Sequence, residues 1–312
     1  MARVKLSVEN ELATELGHDR DAMLRALAER AGVEAYLRGN ELTLDGEDEA
    51  VEKARSVMVE LAQLVAEGVS VGPQTVDAVA GVLTEDGRAV DVLHDVVWTH
   101  RGKQVSPKTI GQKRYVDAIR ANTVTFGIGP AGTGKTYLAI ALAVAALGER
   151  EVARIILTRP AVEAGERLGF LPGDMKEKVD PYLRPLYDAL YDMLPAEQVE
   201  RRIASGEIEI APIAFMRGRT LGDAFIILDE AQNTTPMQMK MFLTRFGQNS
   251  RMVVCGDPRQ IDLPDIGKSG LADAVGRLEG IEGIATIRFN AADVVRHPIV
   301  GRIVDAYEGP NA

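Results

Sequence analysis

The segment that most constrains how this chain can fold is a glycine-rich loop, Gly129-Pro130-Ala131-Gly132-Thr133-Gly134-Lys135-Thr136. It matches the pattern G-x-x-x-x-G-K-[ST], in which glycines let backbone N–H groups surround phosphate oxygens. Lys135 would add a positive charge near the β- and γ-phosphates, and the Thr136 hydroxyl would ligate Mg²⁺. The loop therefore predicts a nucleoside-triphosphate site.

The residues on either side of the loop favour a strand before it and a helix after it. Thr123–Gly127 is β-branched and apolar, and Tyr137–Leu147 is rich in alanine and leucine. A helix that begins at the loop would turn the positive end of its dipole towards the phosphates. A glycine-rich turn without a ligand is the competing interpretation, and the flanking pattern disfavours it.

From residue 106 onwards, strand and helix patterns alternate, which is typical of a parallel sheet covered on both faces. The predicted strands are Thr123–Gly127, Arg154–Thr158, Ile208–Ala211, Ala224–Leu228, Arg251–Cys255 and Ile284–Arg288. The predicted helices are Lys135–Leu147, Pro181–Leu190, Pro236–Phe246, Ser269–Arg277 and Ile299–Tyr307. We expect an α/β domain over residues 106–312 that binds its ligand at the carboxyl ends of the strands.

The first 67 residues form a separate pattern with the order β-α-β-β-α. The predicted elements are Val4–Val8, Glu11–Ala31, Val33–Arg38, Glu41–Leu44 and Asp48–Ala66. Residues 68–105 are less regular and are predicted to form a connector with one short helix near Gln74–Leu83. Between His100 and Arg114 there are five basic residues and no acid. A solvated face and a contribution to phosphate or RNA binding both remain open for that segment.

Composition excludes several classes of protein. The net charge of −10 argues against coating nucleic acid by bulk electrostatics, although it permits a local basic groove. The longest apolar run has 11 residues, too short to span a bilayer, and the N-terminus lacks the apolar core of a signal peptide. The single cysteine, Cys255, cannot form an internal disulfide and is predicted to be a buried strand residue. We expect a cytoplasmic protein without a membrane segment.

A buried strand that ends in two carboxylates carries the predicted chemistry. Ala224–Leu228 is followed directly by Asp229 and Glu230. Asp229 would hold Mg²⁺ through its water shell, and Glu230 would orient and deprotonate the attacking water. A solvated strand end is the alternative, and the phosphate loop upstream disfavours it.

The next predicted strand ends in Gly256-Asp257-Pro258-Arg259-Gln260, where Gln260 would contact the γ-phosphate and the attacking water. With the phosphate loop and the Asp-Glu pair, this segment resembles the first motor domain of superfamily 1 helicases. That resemblance implies that Gln112 reads adenine, because a carboxamide can pair with both N6 and N7, and it favours ATP. The candidate ATP-binding residues are Gln112, Gly129, Pro130, Ala131, Gly132, Thr133, Gly134, Lys135, Thr136 and Tyr137.

A more specific resemblance is carried by Thr158–Glu166, Leu168–Asp174, Arg217–Thr220 and Asp293–Pro298, which look like signature segments of the PhoH family. It implies a RecA-like ATPase linked to RNA, often assembled as a ring and preceded by a small α+β KH-like domain. The PIN nuclease domain of some relatives is missing from this sequence, so RNA cleavage is not implied. Because no G-x-x-G lies between two helices at the N-terminus, protein docking and RNA binding both remain open for that domain.

The ATP site is predicted to need an arginine from a neighbouring subunit. A superfamily 1 helicase closes its site with a second lobe, and the roughly 50 residues after Gln260 are too few for one. We expect Arg296 to act in trans, with Arg288 as the second candidate; such an arginine is worth about 10³–10⁵ in rate. A heterologous interface that closes gives a ring, and the family resemblance favours a homohexamer. Surface arginines without a catalytic role are the alternative.

Three further arginines are candidates for RNA backbone contacts. Arg159 lies just after a predicted strand, and Arg217 and Arg219 precede the Asp-Glu strand. The corresponding positions face nucleic acid in helicase-like motors, and salt bridges between subunits are the alternative.

Three functions are consistent with these residues. The first is Mg²⁺-dependent ATP hydrolysis coupled to binding, moving or remodelling single-stranded RNA. The second is an ATPase that acts as a nucleotide-state switch or scaffold on a protein partner. The third is a small-molecule kinase, which the water-activating pair Asp229 and Glu230 disfavours.

Overall fold

The computed structural model describes residues 2–17, 21–69, 71–84, 88–160, 175–263 and 269–295, with the backbone alone for residues 175–180. The chain divides into two compact units. The first contains Met1–Val96 and Ser106–Lys113, and the second contains Val97–Val105 and Arg114–Ala312.

The first unit is built on a small antiparallel sheet with the strand order β1-β3-β2. Its elements are β1 (Ala2–Ser7), α1 (Asn10–Gly17), α2 (Ala22–Ala31), β2 (Glu34–Arg38), β3 (Glu41–Gly46), α3 (Asp48–Ala66), α4 (Pro73–Thr84) and α5 (Ala89–Leu93). The single helix predicted over residues 11–31 is two helices. Asp21, just before α2, has φ of 60°, a left-handed conformation that no continuous α-helix allows.

The region predicted to be a connector contributes to the core of the first unit. Val76 and Val79 of α4 and Leu93 of α5 are buried with the apolar side chains of α1, α2 and α3. The buried carboxylate of Glu60, in α3, accepts the N–H groups at the start of α5, with a distance of 2.7 Å to the Ala89 nitrogen. The local apolar pattern of this region is sparse. Its short helices are stabilised by tertiary contacts rather than by a regular apolar periodicity of their own.

The second unit contains a six-stranded sheet with the order β11-β6-β10-β9-β7-β8, in which every neighbouring pair is parallel. This confirms the predicted fold class. The remaining elements of the chain are β4 (Trp98–His100), β5 (Lys103–Val105), α6 (Ile110–Ala121), β6 (Val124–Ile128), α7 (Lys135–Gly148), β7 (Arg154–Arg159), α8 (Met175–Met193), α9 (Ala196–Ala204), β8 (Ile208–Pro212), β9 (Ala224–Leu228), α10 (Pro236–Leu243), β10 (Arg251–Gly256), α11 (Gly270–Leu278) and β11 (Ile284–Arg288).

Both faces of the large sheet are covered. All five residues of β9 are buried, and they alternate between two apolar clusters: Phe225 and Ile227 lie in one, Ile226 and Leu228 in the other. Because successive side chains of a strand point to opposite faces, a continuously apolar strand needs a layer on each side. The parallel arrangement brings the carboxyl ends of all six strands to one edge.

The predicted strands match the structure to within one or two residues at each end. The helices α5, α6 and α9 and the strands β4 and β5 were not predicted, and α8 begins six residues before the helix expected over residues 181–190. The helix α10 ends three residues earlier than expected, and the helix predicted over residues 299–307 lies outside the described residues. Within the described ranges, every helix is too short or too polar to cross a membrane.

Candidate functional site

The phosphate loop joins β6 to α7 in a conformation that requires glycine. Gly129, Gly132 and Gly134 have positive φ angles of 149°, 82° and 75°, which residues with a side chain rarely adopt. A Cβ atom on Gly129 would lie 2.7 Å from both the Cβ atom and the carbonyl oxygen of Phe289. The loop thus passes close against the chain that follows β11, and its N–H groups are placed at the start of α7, where an anion is favoured.

Lys135, the first residue of α7, is buried within the loop. Its ammonium group donates to the carbonyl oxygens of Gly129 and Pro130, each at 2.7 Å, and to the Thr133 hydroxyl at 3.2 Å. Burial lowers the pKa of Lys135 from its ordinary value, and nearby acidic groups partly oppose this shift. The ammonium is held over the loop by oxygen acceptors, the same kind of atom that a phosphate presents.

Thr136 and Asp229 are brought into direct contact across the site. The Thr136 hydroxyl donates to Oδ1 of Asp229 at 2.6 Å, and the Asp229 N–H donates to the Thr158 carbonyl of the neighbouring strand at 2.9 Å. Burial raises the pKa of Asp229, the adjacent Glu230 raises it further, and the Thr136 hydrogen bond acts in the opposite direction. A cation bound at this position would stabilise the ionised form of the buried Asp229 carboxylate.

The oxygens of Thr136 and Asp229 fit a hard cation such as Mg²⁺, which prefers oxygen ligands. In the described part of the chain, no group of three or more His, Cys, Asp or Glu side chains could hold a metal ion. Mg²⁺ characteristically binds through one or two protein oxygens, with phosphates and water completing its shell. The donor set therefore fits Mg²⁺ that arrives with a nucleotide.

Glu230 has a strained backbone conformation, and two partners hold its carboxylate. Its φ of 50° is left-handed, which is rare for a residue with a long side chain and is concentrated at functional sites. Its Oε1 atom lies 3.1 Å from Nη2 of Arg159, and its Oε2 atom accepts a hydrogen bond from Gln232. Arg159 also donates to the Tyr182 carbonyl of α8 at 3.0 Å. The carboxylate predicted to be the base is thus oriented from both sides.

Gln232 is a site residue that the sequence did not single out. Its side chain is fully buried. The amide nitrogen donates to Glu230 and to the Gln260 carbonyl at 3.0 Å, and the amide oxygen accepts the Asp257 N–H at 3.0 Å. Gln232 therefore links the ends of β9 and β10. The sequence shows Gln232 three residues after Asp229, but no neighbouring residue in the sequence indicates its partners Asp257 and Gln260.

Asp257 connects the end of β10 to the phosphate loop. Its buried carboxylate accepts the Ala131 N–H at 3.1 Å and the Arg259 N–H at 3.0 Å. Gln260, by contrast, has an exposed side chain and contributes its backbone carbonyl to Gln232. The predicted contact of the Gln260 side chain with phosphate and water stays a prediction.

The three arginines predicted to contact RNA differ in their surroundings. Arg159 is bound to Glu230, and Arg219 makes a two-point ion pair with Glu209, with Nη2 and Oε2 2.7 Å apart. That guanidinium holds the pKa of Glu209 below its ordinary value. Arg217 is exposed and makes no ion pair with any described residue. Of these three arginines, Arg217 is the one whose charge is exposed and lacks an ion pair in the described part of the chain.

The remaining candidates are placed less directly. Gln112 is buried in the first unit, where its carboxamide oxygen accepts the Lys108 N–H at 2.7 Å, and its role in reading adenine stays a prediction. Tyr137 is half-buried against the core of the second unit. Arg288 is exposed at the end of β11, in register with Ile128. Arg296 and the signature residues 161–174 lie outside the described residues.

Comparison with known proteins decides the family. The family model described as PhoH-like protein matches residues 104–308. This chain belongs to the PhoH family. It is 55% identical to a PhoH-like protein of Mycobacterium bovis, over 98% of this chain and 87% of that one. It is 48% identical to a PhoH-like protein of Bacillus subtilis, over 96% of this chain and 95% of that one.

The similarity to a solved structure is weak. The SWI2/SNF2 ATPase core of Sulfolobus solfataricus in complex with dsDNA is 13% identical, with a TM-score of 0.36 over 59% of this chain and 46% of that one. At that score the likeness carries no argument. PhoH-family membership and the geometry of the phosphate loop together support an ATPase of the P-loop type.

Cys255 of this PhoH-family chain is expected to be inert towards thiol reagents in the native state. Its thiol lies 3.2 Å from the Tyr115 hydroxyl, and burial, followed by the charge of Asp229, raises its pKa to about 12. At pH 8 the thiolate fraction would be about 10⁻⁴, against about a quarter for an ordinary cysteine. Reaction with Ellman's reagent should detect the thiol only after unfolding in guanidinium chloride. Rapid stoichiometric labelling of the folded protein would contradict this burial.

Proposed function

We propose that this protein hydrolyses ATP in an Mg²⁺-dependent reaction and couples hydrolysis to binding, moving or remodelling single-stranded RNA. The observation that carries the proposal is the 2.6 Å contact between Thr136 and Asp229, with Glu230 as the next residue. That contact joins the phosphate loop to a carboxylate pair at one edge of the sheet. A nucleotide bound there would meet a metal-ligand pair and a base together.

In the proposed reaction, a water oxygen forms a bond to the γ-phosphorus while the bond from that phosphorus to the β,γ-bridging oxygen breaks. Glu230 takes a proton from the water, and ADP leaves with the electron pair of the broken bond. Lys135 and the N–H groups of the loop stabilise the charge that develops on the phosphate oxygens. Bound Mg²⁺ would supply charge neutralisation at the β- and γ-phosphates, held by Thr136 and Asp229.

The arrangement of Glu230 supports hydrolysis over transfer to a metabolite. Its carboxylate is oriented by Arg159 and by Gln232, which in turn binds the loop after β10. A misplacement of about 1 Å can cost about 10²-fold in rate. A water molecule has few contacts that could orient it, so its activation depends on a base that is itself held in place. We propose that Arg159 and Gln232 act as positioning residues for Glu230.

A further part of the proposal concerns assembly. Within the described residues, Arg159 pairs with Glu230 and also donates to the Tyr182 carbonyl, and Lys135 is bonded to oxygens of the phosphate loop. Another arginine would stabilise the transition state further. We propose that a neighbouring subunit supplies it in a homo-oligomeric ring of six, with Arg296 as first candidate and Arg288 as second.

Measuring ATP hydrolysis by the purified protein, with and without single-stranded RNA, tests the function. Turnover is expected to require Mg²⁺, to disappear with EDTA, to favour ATP over GTP, and to rise when single-stranded RNA is added. Light scattering on the same preparation reports the oligomeric state. Absence of hydrolysis under all conditions would refute the proposal. Hydrolysis that RNA leaves unchanged would instead support a switch or scaffold that acts on a protein partner.

A further inference from the structure

Several segments of this acidic chain contain no acidic residue, and two of them begin at or just after the ends of β8 and β9. The sequence carries 46 Asp and Glu residues, yet residues 210–222 and 231–250 have none. They carry four basic side chains instead: Arg217, Arg219, Lys240 and Arg245. In a protein with a net charge of −10, such segments repel a polyanion less than the acidic parts of the chain do.

The two segments are brought together by hydrogen bonds. The Leu221 N–H donates to the Arg245 carbonyl at 2.8 Å, and the Gly247 N–H donates to the Leu221 carbonyl at 3.1 Å. The Arg245 guanidinium donates to the Arg219 carbonyl at 3.4 Å. The short 3₁₀-helix Ile213–Met216 also packs against α10. The acid-free segments therefore form one continuous part of the second unit.

The two segments begin at the edge of the sheet that carries the ATP site and end at the opposite edge, just before β9 and β10. Ile213–Met216 begins directly after the last residue of β8, and α10 follows β9 after a short turn that contains Glu230. Because β8 and β9 both run parallel to β7, their carboxyl ends lie at one edge. A ligand on Ile213–Met216 and on the start of α10 would therefore lie at the same edge of the sheet as Asp229 and Glu230.

Four exposed side chains on these segments define what we name the Phe215 surface: Phe215, Arg217, Met237 and Lys240. Phe215 is 59% exposed and Met237 is 82% exposed, although large apolar side chains are usually buried. Arg217 and Lys240 are exposed and form no ion pair with a described residue. The surface thus combines an aromatic ring, a flexible apolar side chain and two uncommitted positive charges.

We propose that the Phe215 surface binds single-stranded RNA, with Phe215 stacking on a base and with Arg217 and Lys240 contacting phosphates. The inference rests on the proposed function and specifies where its RNA is bound. Proteins that bind single strands combine basic side chains along the backbone with aromatic rings on which bases stack. The absence of acidic residues from both segments favours RNA, a polyanion, over a protein partner whose surface lacks acidic residues. Arg159 and Arg219, bound to Glu230 and Glu209, are structural in this assignment.

Fluorescence anisotropy with a labelled oligouridine about 20 nucleotides long, longer than a typical site of about 4–16 nucleotides, tests the assignment. The full chain is used with Mg²⁺ and a non-hydrolysable ATP analogue. Phe215→Ala is expected to weaken binding about tenfold, while Phe215→Trp retains it, because stacking needs only a flat ring. Arg217→Gln is expected to lower the slope of log K against log salt by about 0.7, the value for one phosphate on a single strand.

Two matched controls lie elsewhere in the second unit. Tyr191→Ala removes an exposed aromatic ring near the end of α8, and Arg277→Gln removes an exposed arginine in the last turn of α11. Both positions are near the amino ends of the strands that follow, so both variants should bind RNA as the wild type does. Thermal melting of the five variants and the wild type establishes that each is folded.

The outcomes separate the surface from the function as a whole. If the wild type binds RNA and the Phe215 and Arg217 variants bind equally well, the Phe215 surface is wrongly assigned while the RNA-linked function stands. If Phe215→Ala dissociates the oligomer without changing RNA affinity, the surface is a contact between copies of the chain and the assignment is also overturned. If the wild type binds no RNA, the RNA-linked function fails and the assignment fails with it.

Discussion

Replacing Glu230 with glutamine is expected to lower ATP turnover by about 10²–10⁴-fold while nucleotide binding is retained. Glutamine has nearly the same shape as glutamate, and its carbonyl oxygen can still accept the hydrogen bond from Gln232. It cannot take a proton from the attacking water. The site would therefore bind ATP and Mg²⁺ and stop before the chemical step.

Phosphate release under saturating ATP measures the turnover, and titration with a fluorescent ATP analogue measures the affinity. Glu279→Gln makes the same chemical change at an exposed position after α11 and should behave like the wild type. Near-normal turnover in Glu230→Gln would show that Glu230 is not the base. A parallel loss of affinity would show that its role is structural.

Replacing Lys135 with methionine is expected to weaken ATP binding by about 2–5 kcal/mol, which is about 30-fold or more. Methionine fills a similar volume but carries no charge, so desolvated phosphate oxygens would lose their ammonium partner. The free protein should stay folded. Burial lowers the pKa of Lys135, so removing that charge relieves an unfavourable desolvation, while the Gly129 and Pro130 carbonyls lose a donor.

Calorimetric titration and thermal melting with and without ATP measure this effect. Ligand at about 100 times its Kd adds about 2.7 kcal/mol to the stability of the wild type, and at the same ligand concentration this increment should fall below about 1 kcal/mol in Lys135→Met. Lys53→Met, at an exposed position of α3, is the matched control and should retain it. An unchanged ATP-induced increase in melting temperature would place the phosphates away from Lys135.

The two variants also distinguish the parts of the site. Lys135 acts on the nucleotide in its ground state, so its loss should appear mainly in affinity. Glu230 acts only when water attacks, so its loss should appear in turnover. If both changes affected affinity alone, the carboxylate pair would serve metal binding, and the proposed hydrolysis would need another base.

Much of the second unit could be predicted because its signals are local. The six strands are short apolar runs, and a run such as Ala224–Leu228 is buried on both faces wherever it lies in a parallel sheet. The first unit was predicted less well. The division between α1 and α2 depends on a left-handed Asp21, and α5 depends on the Glu60 carboxylate from a distant helix. Neither interaction has a signature in a short window of sequence.

Gln232 and Asp257 show the same limit within the site. Each is polar and buried, and each makes at least one hydrogen bond to a segment that follows a different strand. The partners of Gln232 are 25 and 28 residues away along the chain. Their proximity follows from the pairing of β9 with β10, which a single sequence does not state.

By itself the sequence determined the phosphate loop and the Asp229-Glu230 pair, because in each case the chemistry resides in consecutive residues with a required backbone conformation. Only the tertiary structure decided which arginines are free. Arg159 is bound by Glu230, which follows β9, and Arg219 is bound by Glu209 of β8, while Arg217 remains exposed close to Phe215 in sequence. An ion pair forms or fails according to which side chains the sheet brings within a few ångströms, and that depends on strand order rather than on neighbours in sequence.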